Sequence, residues 1–242
     1  MKWRLVDSDM LAPAFSAACD EAILVARNEE KVPNTLHLYR RNAPTISMGH
    51  FERVKEVVDL EAASRHGVQI VRRMSGGSAI YTDQGQIIYS LFIDRGSAPG
   101  DPVRSFEMVC RGIVLALEGL GLDPEFKPVN DVQIGGKKIS GSAQLRRWGV
   151  LAQHGSLLVD TDLDIMCEVL KARKRPRGDM TSLREELGYV PDMEVVKTAI
   201  VRGFSSAFGV EFERGDLTEE ERDLADKLEK EKYSSPEHTY LR

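Results

Sequence analysis

The sequence contains little cysteine, which limits the kinds of site it can form. Its 242 residues include three cysteines, Cys19, Cys110 and Cys167, which lie far apart and form no CxxC pair. This number and spacing predict neither a disulfide framework nor a zinc site. A reducing cytoplasm is the simplest setting for such a chain, and we therefore expect a cytoplasmic protein.

Long apolar runs and an excess of positive charge are also missing. No uncharged run approaches the roughly 20 residues that a membrane-spanning helix needs. Residues 1–10 carry charges of both signs and lack the apolar core of a signal peptide. The net charge of −5 gives no reason to expect binding to nucleic acid. We expect neither a membrane nor nucleic acid as a partner.

Strand and helix patterns alternate along the chain without a steady βαβ order. Strands are predicted at residues 3–6, 36–40, 45–48, 68–72, 86–93, 131–134 and 151–158. Helices are predicted at residues 14–27, 57–66, 102–120, 163–171, 192–208 and 218–232, followed by a tail at 233–242. This irregular order favours an α+β fold with mixed or largely antiparallel sheets flanked by helices. We expect one catalytic domain spanning residues 1–242.

A glycine-bearing loop follows the strand predicted at 68–72. Arg72 and Arg73 directly precede it, and Ser75, Gly76, Gly77 and Ser78 form it. Adjacent glycines let the backbone approach a ligand closely, and their N–H groups can turn toward an anion. An arginine beside them can bind a phosphate or carboxylate through two parallel hydrogen bonds. A plain hairpin turn with surface arginines explains the same residues equally well.

A second segment, residues 130–158, carries a lysine pair. Gly135 and Gly136 predict a two-residue hairpin turn, so that Lys137 and Lys138 begin the returning strand and one of them faces inward. An inward lysine can stabilise the oxyanion of an acyl transfer, and a neighbouring Asp131 can bind Mg²⁺ with phosphates. A hairpin with two solvated lysines is the alternative, and a lone His154 is more often a core residue than a catalyst.

Together the two segments resemble the lipoate–protein ligase family. RRMSGGSAIYTDQGQIIYS (residues 72–90) is similar to its RRxTGGGAVYHD-type loop, and NDVQIGGKKISGSAQ (residues 130–144) to its NDxGKKIxGxAQ motif. Further segments resemble the family in the same order, at residues 20–27, 43–52, 152–171 and 220–235. The resemblance implies the α+β fold of biotin–protein ligases and octanoyltransferases, which is related to class II aminoacyl-tRNA synthetases.

The resemblance also implies an activity. A lipoate–protein ligase activates lipoate with ATP and Mg²⁺ to lipoyl-AMP, and transfers the lipoyl group to a lysine of a carrier domain. The expected carriers are E2 subunits or the glycine cleavage H protein. The C-terminal accessory domain of two-domain ligases has no counterpart here, so a separate accessory subunit is a possible partner. A basic run at residues 171–177 is either a solvated surface or a patch that attracts an acidic carrier.

The resemblance assigns roles to individual residues. Lys138 is expected to be catalytic and to hold carbonyl and phosphate oxygens, while Asn130 and Asp131 lie near the nucleotide, with Asp131 also near Mg²⁺. The residues expected to line the adenylate and acyl pocket are Arg72, Ser75, Gly76, Gly77, Ser78, Gly49, His50 and His154. Three positions depart from the family pattern: Ser78 replaces a glycine, Thr82 a histidine and Glu52 a glutamine.

Two other functions remain open. The first is an octanoyl or lipoyl transferase that moves the acyl group between carrier proteins without ATP. Many members of one branch of that group use a cysteine just upstream of the Asn-Asp position, but residues 121–129 contain none, and Cys110 is expected in the core. The second is a non-catalytic binding module of the same fold.

Overall fold

The computed structural model describes residues 2–171 and 177–241. Its largest element is an eight-stranded sheet in the order β11-β1-β2-β6-β10-β9-β8-β7, and a three-stranded sheet has the order β4-β3-β5. The strands are β1 (Lys2–Leu11), β2 (Thr35–Arg41), β3 (Thr45–Met48), β4 (Gln69–Arg72), β5 (Ile80–Thr82), β6 (Gln86–Asp94), β7 (Pro124–Lys127), β8 (Asp131–Ile134), β9 (Lys137–Arg147), β10 (Val150–Leu158) and β11 (Glu211–Gly215). In the large sheet, β1 pairs in parallel with β2 and β11, and every pair from β2 through β6, β10, β9 and β8 to the edge strand β7 is antiparallel. In the small sheet, β3 pairs in parallel with β4 and antiparallel with β5.

The helices surround both sheets. They are α1 (Pro13–Asn28), α2 (Val54–Val57), α3 (Leu60–Arg65), α4 (Pro102–Gly119), α5 (Leu163–Val169), α6 (Leu183–Leu187), α7 (Met193–Phe208), α8 (Glu219–Leu228) and α9 (Pro236–Thr239). Within residues 2–171 and 177–241, no helix combines the length and apolarity needed to cross a bilayer. Most of the basic run at residues 171–177 lies outside the described residues.

The large sheet buries both of its faces. On one face, Val109 and Ile113 of α4 and Ile200 and Phe204 of α7 pack against alternate residues of the central strands. On the other face, Ile23 and Leu24 of α1 pack against Phe92, Val150 and Ala152. The small sheet has its own core with α3 and α5. The space between α1, the large sheet and the small sheet is where the cavities described below lie.

The hairpin of β8 and β9 places the lysine pair. Gly135 and Gly136 form its turn with φ angles of 54° and 79°, values that favour glycine. The register shifts after Val132, so that Ile139 is an extra residue on β9. Such a bulge bends a strand and redirects its side chains. As predicted, one lysine of the pair points inward: Lys138 is half-buried and Lys137 is exposed.

The predicted α+β class is confirmed, and most elements lie where the sequence predicted them. The helix predicted at 57–66 begins only at Leu60: α2 ends at Val57, Val58 is extended, and Asp59 caps α3 by accepting a hydrogen bond from Ala62 N. Three short strands were not predicted: β5, β7 and β11. The region predicted as a tail contains α9, so that prediction was wrong for residues 236–239.

Arg72 forms hydrogen bonds that hold the segment around α9 in place. Its side chain is fully buried, and its guanidinium donates hydrogen bonds of 2.8–3.2 Å to main-chain carbonyls of two separate segments. The acceptors are Gly49, His50 and Glu52 on one side and His238 and Thr239 on the other. Arg72 therefore ties the C-terminal segment to the loop that follows β3.

We predict that Arg72→Met destabilises the protein by about 3 kcal/mol or more, because several buried carbonyls lose their donor at once. Chemical denaturation measures this, and hydrogen exchange should rise at residues 236–241. Arg65→Met is the matched control, since that side chain is exposed and forms only a 3.8 Å ion pair with Glu168. Equal unfolding midpoints for the two variants would contradict the role given to Arg72.

Candidate active site

Two cavities meet beside Lys138. The first has a volume of about 100 Å³ and extends across β9, β10 and β6 to β2. The second has a volume of about 190 Å³ and reaches toward α5. Five residues line both: Ser78, Ile80, Asn130, Lys138 and Ser156. A group bound at this junction would contact Lys138 whichever cavity holds the rest of the ligand.

The Asp131 carboxylate holds the ammonium of Lys138. The ammonium occupies space that a side chain at Gly141 would fill. Its Nζ lies 2.6 Å from Oδ1 of Asp131. Asp131 stands directly opposite Gly141 on the paired strand, and a Cβ at Gly141 would lie 2.3 Å from Lys138 Nζ. The lysine therefore occupies the space above Gly141. An ammonium held in this way can stabilise negative charge developing on a carbonyl oxygen.

The glycine loop is shaped by Arg73 and not by Arg72. Arg73 is buried and donates to the carbonyls of Ser47, Gly76 and Ser78 at 2.6–2.8 Å. Burial, with a smaller effect from Arg41, lowers its pKa to about 10. Since all of these acceptors are main-chain atoms of the loop or of β3, Arg73 holds the backbone of the loop against the first cavity.

Gly49 and His50, which follow β3, pack against the same glycine loop. A Cβ at Gly49 would lie 1.8 Å from the Gly77 carbonyl oxygen, so only glycine permits this approach. The His50 N–H donates to the Ser75 carbonyl at 2.8 Å. Gly77 itself has a φ of 89°. These contacts set the position of the loop without placing Gly49 or His50 in the cavity lining.

His154 joins the loop to the floor of the first cavity. Its Nε2 lies 2.6 Å from the Ser75 hydroxyl, which also accepts a hydrogen bond from Arg73. The hydroxyl hydrogen is thus available to Nε2, which favours the tautomer with Nδ1 protonated and directed toward Asp20, 3.9 Å away. Burial, followed by the nearby Arg73, lowers the pKa of His154 to about 4. His154 is therefore neutral near pH 7.

The far end of the first cavity is polar, which the sequence analysis did not predict. Asp20 on α1 accepts hydrogen bonds from His37, Tyr39 and Ser90 at 2.7–3.3 Å. Arg41, also buried, lines the cavity beside it, and burial lowers its pKa. The available signal was an acidic pair, Asp20 and Glu21, within an otherwise apolar stretch of helix.

The structure brings only some of the predicted site residues together. Gly77, Ser78, Asn130, Lys138 and His154 line the first cavity, and Asp131 lines the second with Ser78, Asn130 and Lys138. Ser75 contacts His154 from outside the lining. Arg72, Gly76, Gly49 and His50 line neither cavity. The roles of all these residues in binding or catalysis stay predictions.

The arrangement of the described side chains does not support the expected Mg²⁺ site at Asp131. Within residues 2–171 and 177–241, no three His, Cys, Asp or Glu side chains converge in a way that could hold a metal ion. The carboxylate of Asp131 is also engaged by Lys138. A role for Asp131 toward Mg²⁺ therefore stays a prediction.

Comparison with known proteins identifies the family. Residues 12–205 match the model of the lipoyl protein ligase A/B catalytic domain, so the chain belongs to that family. It is 35% identical to a protein of Kyrpidia tusciae named octanoyltransferase LipM, over 98% of each chain, and further relatives bear the same name. A solved lipoate–protein ligase A bound with ATP is 30% identical, with a TM-score of 0.90 and full coverage of both chains.

A third comparison concerns a bi-partite lipoate protein ligase of Thermoplasma acidophilum, whose structural description includes its E2 lipoyl domain. It is 30% identical to this chain with a TM-score of 0.89, covering all of this chain and 98% of that one. The chain is thus an enzyme of the lipoate ligase and octanoyltransferase group.

The main expectation of the sequence analysis, an ATP-dependent lipoate–protein ligase, was wrong. Full-length relatives are named octanoyltransferase, which agrees better with the alternative of acyl transfer between carriers. The physical reason for the error is that the two motifs build the first cavity and the Lys138 junction. Both activities need a held acyl carbonyl, so these motifs do not discriminate between an adenylate and a thioester.

We predict that Gly141→Ala removes most acyl-transfer activity while the protein stays folded. The new methyl group displaces the flexible end of Lys138 and breaks its contact with Asp131, and a misplacement of about 1 Å can cost about 100-fold in rate. Gly149→Ala is the control, because no atom lies within 4 Å of its Cβ. Undiminished transfer by Gly141→Ala would show that the position of Lys138 does not matter.

We also predict a pH effect on stability that originates at His154. Its pKa falls from 6.5 when unfolded to about 4 when folded, so between these values the unfolded chain binds the extra proton and stability decreases as the pH falls. The loss should be on the order of 2–3 kcal/mol. Denaturation of the wild type and His154→Gln from pH 7 to 4 measures it, and parallel profiles would contradict the assignment.

Proposed function

We propose that this chain is an acyltransferase that moves an octanoyl or lipoyl group from a thioester on one carrier protein to a lysine of a lipoyl carrier domain, without ATP. One observation carries the proposal. Lys138 stands where two cavities meet, in a chain similar along its length to proteins named octanoyltransferase. The junction suits a carbonyl that has an acyl chain on one side and a leaving group on the other.

The chemistry needs few groups. The acyl chain lies in the first cavity, so that the thioester carbonyl is beside Lys138. The amine of the acceptor lysine attacks this carbon, and the Lys138 ammonium stabilises the oxygen anion that forms. The C–S bond then breaks as the C–N bond becomes an amide. The leaving thiolate takes up the proton that the amine releases, so neither a nucleotide nor a redox partner is required.

The cysteines support direct transfer in preference to a cysteine-bound intermediate. Cys19 and Cys110 are buried, and burial raises the pKa of both thiols, that of Cys110 to about 11. Cys110 contacts Ser142 and Gln153 on the α4 side of the sheet, as expected of a core residue. Cys167 lines the second cavity, but burial raises its pKa as well. A reactive thiolate is the form that attacks a thioester.

The acceptor is proposed to be a lipoyl domain of an E2 subunit or the glycine cleavage H protein. The similarity to the Thermoplasma protein described together with its E2 lipoyl domain supports this. The proposal does not require an accessory subunit, because no adenylate has to be formed.

The test is transfer from an octanoyl thioester of an acyl carrier protein to an unmodified lipoyl domain, followed by mass spectrometry without ATP. We predict formation of the octanoyl amide and a loss of about 100- to 1000-fold in Lys138→Ala. Lys137→Ala is the matched control, since its side chain is exposed on the same hairpin. Modification that occurs only with free lipoate and ATP would overturn the proposal.

A further inference from the structure

Ser156 belongs to a row of residues that crosses four neighbouring strands of the large sheet. Asp131 on β8 stands opposite Gly141 on β9, which stands opposite Ser156 on β10. Ser156 in turn stands opposite Ile88 on β6. Side chains directly opposite each other on paired strands share one face of the sheet, with Cβ atoms about 5 Å apart. The row therefore presents a carboxylate, a glycine, a hydroxyl and an apolar side chain, in that order.

The ammonium of Lys138 fills the place of the missing side chain in this row. Its Nζ lies 2.3 Å from the position that a Cβ at Gly141 would have, and Asp131 is its neighbour on one side. Ser156 is the neighbour on the other side, about 5 Å from the same position. One ligand oxygen placed between them can therefore contact both Nζ and the Ser156 hydroxyl.

The Ser156 hydroxyl is open to whatever occupies the junction of the two cavities. The residue lines both cavities, and within residues 2–171 and 177–241 no group forms a hydrogen bond with its hydroxyl. Its main chain belongs to β10, which pairs with β6 on one side and β9 on the other. The hydroxyl is thus carried by a rigid element, which favours a fixed position before a ligand binds.

The other polar residues that line both cavities are less suited to hold a developing negative charge. Asn130 donates from its side-chain amide to the main-chain carbonyl of Ser142. Ser78 carries a hydroxyl, but it belongs to the glycine loop, whose position depends on the hydrogen bonds of Arg73. Stabilising an oxyanion requires donors that are in place before the reaction. Ser156 meets this requirement beside the ammonium.

We infer that Ser156 is a catalytic residue of the acyl transfer, whose hydroxyl donates a hydrogen bond to the carbonyl oxygen beside Lys138. The inference rests on the proposed function, which places the thioester carbonyl at this junction. As the acceptor amine attacks the carbonyl carbon, an electron pair moves onto the oxygen, which then accepts hydrogen bonds from Nζ and from Oγ. Ser156 keeps its proton and forms no bond to the acyl group. The acyl chain extends from this point over Ile88, which lines the first cavity.

The experiment measures steady-state transfer from an octanoyl thioester of an acyl carrier protein to an unmodified lipoyl domain. We expect Ser156→Ala to lower kcat about 10- to 100-fold with little change in KM, because the hydroxyl acts mainly on the oxyanion. Ser156→Thr should retain more activity, since it keeps the hydroxyl. Ser105→Ala is the control and should keep the wild-type kcat, because it removes a buried hydroxyl of α4 that lines neither cavity.

An unchanged kcat in Ser156→Ala would overturn the inference. An octanoyl ester on Ser156 would also overturn it, since the serine would then be a nucleophile; intact mass spectrometry of the wild type with the donor alone should show no such ester. Failure of the proposed function is a separate result, in which the wild type forms no amide from the thioester. The same variants would then be compared with lipoate and ATP, where the amine attacks a carbonyl at the same junction.

Discussion

The contact between Lys138 and Asp131 above Gly141 is the constraint on which the site depends. It requires a hairpin turn that brings the lysine back beside the aspartate, a bulge at Ile139 that turns the strand, and a glycine that leaves space for the ammonium. Each of these is a local property of the β8–β9 hairpin. Their combined result is an ammonium fixed at the point where two cavities join, which is where we propose that the reacting carbonyl lies.

Around this contact, the structure uses buried arginines mainly to hold main-chain segments in place. Arg72 joins the loop after β3 to the C-terminal segment, and Arg73 joins the glycine loop to β3. Guanidinium groups suit this task because they present several donors in a fixed plane and do not lose their charge readily. Arg41 is the exception, since it faces the first cavity and contacts hydroxyl groups.

Local sequence signals were sufficient for the hairpin, the inward lysine and the α+β class. The Gly135-Gly136 turn and strand alternation predict that one of the two following lysines faces inward, and the resemblance to the family indicated that it is Lys138. The strand β5 and the helix α9 could not be predicted in this way, because pairing with β3 and the hydrogen bonds of Arg72 stabilise them. The same holds for Asp20, which reaches the cavity only after α1 packs onto the sheet. Arg72 and Arg73 look equivalent in the sequence, and only the fold distinguishes their partners.

The two motifs that resemble the family are expected to hold an acyl carbonyl, and they leave open how the acyl group is activated. The central claim is that the acyl group reaches the enzyme already activated, as a thioester on a carrier protein. The most direct test supplies the wild-type chain with an acyl thioester, an unmodified lipoyl domain and ATP together. The amounts of AMP and of the amide product are then measured and compared. The account predicts amide without AMP. Formation of AMP in equal amount to the amide would contradict it.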